Sequence, residues 1–181
     1  TEIYLTGEIT PEPVGDKGSF TATAGLDITS FSDGTAVFRL DQTNPGDYEI
    51  TYTYTSTAGC VSEEKQQTSI HPIPTANLSV DPVKDSLCDG QLTELDLSLT
   101  GEPDWTVILE DDHGNTYTRI FNSSPATTSI NAPWIDDGTG ITEYNYSVIS
   151  VTDPYGCSSP GTGTAEVLIF KLPATGNMYY V

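Results

Sequence analysis

From Tyr48 the chain alternates: Tyr48, Ile50, Tyr52 and Tyr54 fall on one parity, and Glu49, Thr51, Thr53 and Thr55 on the other. A two-residue period of this kind predicts a strand of antiparallel sheet with one face on a core and the other in water. The run ends in Ala58-Gly59-Cys60. About a hundred residues later the same object returns, with Tyr144, Tyr146 and Val148 alternating with polar neighbours before Asp153-Pro-Tyr-Gly156-Cys157. Each run is followed by a polar strand and then by a proline-bearing segment, His71-Pro-Ile-Pro-Thr-Ala76 and Lys171-Leu-Pro-Ala-Thr-Gly176. Repetition at this interval predicts tandem β modules, here 1–74 and 75–172, with 173–181 a linker or the start of a next module.

The remaining pattern fills in both modules. In the first, strands are expected over 2–6, 19–24, 35–40 and 63–70. They are separated by a proline-broken turn at Pro11-Glu-Pro13, an Asp33-Gly34 turn and a strong turn signal at Asn44-Pro-Gly-Asp47. In the second, Leu95, Leu97 and Leu99 alternate with polar residues, as do Trp105, Val107 and Leu109 with Thr106 and Ile108. His113-Gly-Asn115 reads as a hairpin tip. Strands at 116–121, 127–131, 144–151 and 164–170 complete the module, with an Asp136-Asp-Gly138 turn between the second and third of these. Pro72, Pro74 and Pro173 favour extended, semi-rigid connections.

Composition agrees with an all-β chain: ten Tyr, five Phe, 16 Gly and 12 Pro, with Thr, Val and Ile plentiful and no long segment of helical period. The formal net charge is −20, from 26 acidic and 6 basic side chains. A surface of that sign excludes nucleic acid as a natural partner and disfavours anionic membranes. No stretch approaches the ~20 apolar residues of a membrane helix, and no signal peptide is visible at Thr1, which reads as a point inside a longer protein.

Three cysteines occur, Cys60, Cys88 and Cys157. First and late strands of a sandwich can lie side by side, so a Cys88–Cys157 disulfide is expected, worth about 4 kcal/mol in the chain-entropy model. Cys60 holds the repeat position of Cys157, and aligning Thr93-Glu-Leu95 with Thr1-Glu-Ile3 places its partner before Thr1. The alternative is a free, reactive Cys60. A disulfide would imply an oxidising, extracytoplasmic location. Isolated cysteines without a CxxC pair argue against zinc.

Several motifs taken in order are familiar. Gly18-Ser-Phe-Thr, Pro45-Gly-Asp-Tyr-Glu-Ile-Thr-Tyr-Thr-Tyr, Ala58-Gly-Cys60 and Ile70-His-Pro-Ile-Pro74 resemble the PKD-like modules of very large secreted Bacteroidota surface proteins. Leu87-Cys-Asp-Gly-Gln-Leu-Thr93, Leu99-Thr-Gly-Glu-Pro-Asp-Trp105, Tyr144-Asn-Tyr-Ser-Val and Asp153-Pro-Tyr-Gly-Cys157 resemble the sister Ig-like type. The resemblance implies two tandem antiparallel β-sandwich modules, the first lacking its first strand. It also implies an extracellular stalk or adhesive segment of the kind found in gliding-motility adhesins and other type IX secretion substrates. It carries over no catalytic residues.

Chemistry is sparse. His71 lies in a linker and His113 at a hairpin tip, where contiguous Asp111, Asp112 and His113 cannot by themselves build a nucleophilic triad. No enzyme is expected and no cofactor, with calcium the one chemical candidate. Glu110, Asp111, Asp112 and Asn115 cluster oxygen ligands, and Asp136 with Asp137 forms a second acidic turn. The bland reading of both is solvated hairpin acids that protect strand edges. Trp134, after Pro133 and before the acidic turn, is a candidate stacking platform for a ligand, whereas Trp105 heads a core strand. Asp85-Ser86-Leu87 fits a short Bacteroidota O-glycosylation pattern, with Ser86 the acceptor. Leu172-Pro-Ala-Thr-Gly176 matches the sortase signal by letter but aligns with the earlier linker.

The sequence therefore predicts a non-catalytic extracellular repeat segment whose first partners are neighbouring modules of the same chain. The alternatives are a module binding a surface glycan or protein, an accessory region of a secreted hydrolase, and assembly by strand exchange.

Overall fold

The computed structural model describes residues 1–8, 18–82 and 85–174, so the turn expected at Pro11–Pro13 and most of the 173–181 segment lie outside the described residues. The chain is all-β and divides into two compact units, Thr1–Pro72 and Ile73–Val181, each an Ig-like β-sandwich. Among the described residues no helix is long and apolar enough to cross a membrane.

Unit 1 contains β1 (Glu2–Thr6), β2 (Ser19–Ala22), β3 (Ile28–Ser30), β4 (Thr35–Arg39), a single 3-10 turn (Leu40–Gln42), β5 (Gly46–Thr55) and β6 (Val61–Ile70). One sheet has the order β1-β4-β3 and the other β2-β5-β6, with every pairing antiparallel. The alternation read from Tyr48 onward is the inward face of β5. Tyr48 and Ile50 are buried with Phe38 and Leu26, and Leu5, Phe20 and Ile28 pack around them. Each such side chain contributes about 1.5–3 kcal/mol on full burial. The Tyr52 ring lies across Gly7 and Gly18, where any Cβ would overlap it. Its hydroxyl accepts a hydrogen bond from the Gly18 N–H at 3.0 Å. That explains why glycine stands at both ends of the β1–β2 connection.

Unit 2 contains β7 (Thr75–Ser79), β8 (Ser86–Cys88), β9 (Leu92–Thr100), β10 (Trp105–Asp111) and β11 (Thr116–Phe121). It continues with β12 (Ala126–Asn131), β13 (Ile141–Thr152), β14 (Ser158–Ser159) and β15 (Thr164–Phe170). The larger sheet has the order β11-β10-β13-β15-β8, with β14 on β13, and the smaller β12-β9-β7. The opening segment thus serves both sheets: β7 pairs antiparallel with β9, and β8 pairs parallel with β15. Trp105, Leu97, Tyr146, Val167 and their neighbours form one core between the sheets.

The recurring Gly-Cys motif is one hairpin device. In Ser56–Cys60, Asp111–Asn115 and Asp153–Cys157 the first residue's N–H donates to the fifth residue's carbonyl, and the glycine N–H donates to the first residue's carbonyl. The fifth residue's N–H donates to the first residue's side-chain oxygen, at 3.1, 2.9 and 2.8 Å respectively. The glycines have φ of 83°, 85° and 85°, the left-handed value that closes a three-residue hairpin loop. A short polar side chain first and glycine fourth are what this turn requires. Cysteine in fifth place is not needed for it, since Asn115 occupies that place in the third copy.

The expected Cys88–Cys157 disulfide is not formed, and all three cysteines are free. The sequence reading placed first and late strands side by side, and β8 does pair with β15. The register defeats the bond. Cys88 lies opposite Phe170, which lies opposite Ile141 at the start of β13, whereas Cys157 follows the far end of β13 at Thr152. Eleven strand steps separate those ends, about 36 Å at ~3.3 Å each, against the ~7 Å between Cα atoms that a disulfide tolerates.

Candidate functional site

The acidic residues singled out from the sequence fall on the β10–β11 hairpin, the adjoining face of β13 and the loop after β12. Asp111 closes β10 and is buried, at 4% exposure. Its carboxylate accepts from the backbone N–H of His113 (3.0 Å) and of Asn115 (2.9 Å), from the Asn115 amide (2.9 Å) and from the Tyr117 hydroxyl (2.7 Å). Burial pushes its pKa up, but the bonds from Asn115, Tyr117 and His113 outweigh that and hold it below the usual carboxylate value. Burial, then the Asp111 charge, raises the Tyr117 phenol in turn.

Asp112 points toward β13. It accepts from the Asn145 N–H (3.1 Å) and amide (2.9 Å), and its other contact is the His113 ring, with Nδ1 at 3.0 Å. Burial opposes ionisation here too, and the bonds from Asn145 and His113 win, so this pKa is also lowered. The His113 ring centroid lies 4.4 Å from that of Tyr144, which stacks on Tyr146. Asn145 also donates to Glu143, and Ser147 donates to Glu110 at 3.2 Å. The arrangement is a clasp: carboxylates accept from donors of the hairpin and the neighbouring strand and fix one to the other.

That use of the carboxylates bears on the calcium candidates. Both Asp111 oxygens already accept from donors, and Glu110 and Asp112 are bonded across to β13. Asp137 accepts from the Thr139 N–H (2.9 Å) and hydroxyl (2.7 Å) within its own turn, and Asp136 is exposed beside it. Asn115 spends its amide on Asp111. Among the described residues no group of three or more His, Cys, Asp or Glu side chains is placed to hold a metal ion.

Trp134 is half-buried against the core of unit 2 rather than displayed. Lys171 Nζ stands 4.5 Å above its ring centroid, and its backbone N–H donates to Asp89 at 3.1 Å. One face is thus covered by a cation, a contact worth about 0.5–1 kcal/mol at a partly exposed site. Trp105 is in the core, at 5% exposure. Ser86 is exposed on β8, with its hydroxyl donating to Asp85 at 3.0 Å.

A feature with no counterpart in the sequence reading lies in unit 1. Between β1 and β6 the sandwich opens into a cleft of about 540 Å³. Ile3, Leu5, Phe20, Phe38 and Ile50 form its apolar side, and Glu64, Gln66 and Thr68 line the other. The signal was present as the polar inward parity of β6, where β15 of unit 2 carries Ala165, Val167 and Ile169.

No family model matches this chain, and no curated protein matches it. Among solved structures it is similar to the fibronectin(III)-like modules of CbhA from Clostridium thermocellum, at 14% identity and TM-score 0.44, over 98% of this chain and 91% of that one. It is similar to a Ca²⁺-stabilized adhesin with which an Antarctic bacterium reaches out and binds ice, at 15% identity and TM-score 0.43, over 97% of this chain and 46% of the other. A third similarity is to the four N-terminal Ig domains of Dscam1 isoform 4.44, at 14% identity and TM-score 0.38, over 94% and 41%. The chain spans less than half the length of the latter two. The fold assignment rests on the strand order and register given above.

Proposed function

We propose that this chain is a non-catalytic repeat segment of a large extracellular bacterial surface protein, a spacer that presents other regions away from the cell. The observation that carries this reading is the use made of the polar side chains. The Asp111 and Asp112 carboxylates, the one His–Asp pair described and the repeated hairpin caps all tie a turn to its own sheet. Such bonding stabilises a sandwich and leaves no nucleophile, base and oxyanion donors converging on one point, as covalent catalysis would need. The excess negative charge keeps copies soluble and apart. The motif resemblance favours the PKD-like and Ig-like repeats of Bacteroidota surface proteins, with export by the type IX pathway and a role in adhesion or gliding motility.

The test is a binding screen of the intact chain against a broad glycan array and against immobilised bacterial and host surface proteins. The expected outcome is no saturable binding to any glycan or foreign protein. A saturable isotherm lost on Trp134→Ala, with the fold unchanged, would instead make unit 2 a ligand-binding module.

A further inference from the structure

The two units differ at the edges of their sheets, and unit 2 shows what is missing from unit 1. In unit 2 the opening segment lies on both edges, β7 on β9 and β8 on β15, and it buries Ala76 and Leu78 at 1% and 2% exposure. By the sequence repeat, β9 corresponds to β1 and β15 to β6. In unit 1 no strand lies beside the outer edge of β1 or of β6 among the described residues, and the cleft opens between those two edges.

The edge of β1 is competent to pair. Leu40 N–H donates to Thr1 O, and Gly7 N–H donates to Gly34 O. Odd-numbered residues of β1 therefore bond to β4, and the backbone groups of Glu2, Tyr4 and Thr6 face the open side. Ile3 and Leu5 point into the cleft from the same strand.

The sequence supplies a matching strand. The segment Thr175-Gly-Asn-Met-Tyr-Tyr-Val181 begins as β7 does in Thr75-Ala-Asn-Leu-Ser-Val80: threonine, a small residue, asparagine, then a long aliphatic side chain. It carries no acidic side chain, so it can approach Glu2 and Glu64 without adding side-chain repulsion in a chain of net charge −20. We propose that the cleft of unit 1 receives residues 175–181 of a second copy of this chain as an added antiparallel strand on β1. The register follows from unit 2, where Leu78 pairs with Leu97 and Ala76 with Leu99. Aligning Leu95 with Ile3 puts Gly176 opposite Gly7, Met178 opposite Leu5 and Tyr180 opposite Ile3. The small residue then falls where the Tyr52 ring already crosses Gly7. Main-chain bonds along the β1 edge give the affinity, and Met178 and Tyr180 entering the cleft give the selectivity. Each copy offers one strand and one cleft, so the contact is heterologous and links copies head to tail. The inference deepens the repeat-segment reading by naming how one unit engages the next, but the cleft and the open edge stand without that reading.

Sedimentation equilibrium of the full chain, from low micromolar to submillimolar concentration, tests it. The weight-average mass should rise above 19.4 kDa with concentration. Truncation after Ala174 should abolish the rise, as should Met178→Asp, which lies outside both sets of described strands. The synthetic peptide 175–181 should bind the truncated chain and raise the melting temperature of unit 1. A mass that stays at one copy throughout overturns the proposal, whether or not truncation lowers the melting temperature of unit 1. So does association that survives truncation. Neither result bears on whether the chain binds glycans, so the spacer reading is tested separately.

Discussion

Replacing Asp111 by alanine should lower the melting transition of unit 2 by roughly 10–20 °C while leaving that of unit 1 in place. The side chain satisfies two backbone N–H groups, an amide and a phenol in a buried position. Removing it leaves those donors without their charged acceptor, a loss of about 2–4 kcal/mol. A domain of roughly this size moves by about 4–8 °C per kcal/mol. Asp111→Asn retains one acceptor oxygen and should fall between the two. The pH dependence follows in sign. Asp111 and Asp112 have folded-state pKa values below their unfolded ones. Their contribution is therefore complete above the unfolded value, about 3.9, and is lost as pH falls through the lower folded value. Acid titration of unit 2, followed by near-ultraviolet circular dichroism, should show a loss below about pH 4 that is shallower in Asp111→Ala.

The second large effect is expected at Gly163. Its φ is 77°, and a Cβ there would lie inside the van der Waals envelope of the Leu78 carbonyl oxygen and close to Asn77. The neighbouring bonds, Leu78 N–H to Thr162 O at 2.9 Å and Thr162 N–H to Ala76 O at 2.8 Å, hold β7 against this segment. Gly163→Ala must either strain the backbone or push β7 away, at about 3 kcal/mol. Gly138→Ala is the matched control. Its φ is 86° with nothing within 4 Å of the added Cβ, so only the left-handed penalty of about 1 kcal/mol applies. Chemical denaturation of both variants should separate them by more than 1 kcal/mol. Equal losses would mean that β7 is not held by this contact.

The strands were legible because Tyr48–Tyr54, Leu95–Leu99 and Trp105–Leu109 alternate cleanly, and a half-buried antiparallel strand has no other way to sort its side chains. The turns were legible from their glycines. The disulfide was misread because a sequence can say that two strands are neighbours but not at which end each residue lies, and β13 is 12 residues long. The acidic hairpin was found as a cluster, but its purpose was hidden. Asp111 reads as one of three consecutive acidic residues until the fold turns it inward onto Asn115 and Tyr117. Trp134 was placed in the open for a similar reason, since Lys171 lies 37 residues away and reaches it only through the pairing of β13 with β15. The unit 1 cleft was written in Glu64, Gln66 and Thr68, but a polar strand is equally the mark of an ordinary solvated edge.

The central claim is that two separately folded sandwiches resist extension by their own packing and hydrogen bonds. Pulling single molecules of the full chain by its ends, in buffer containing EDTA, tests this directly. The expected record has two separate unfolding events, each releasing roughly 3.6 Å per residue of one unit. A single event, or smooth extension that acquires steps only when calcium is added, would contradict it.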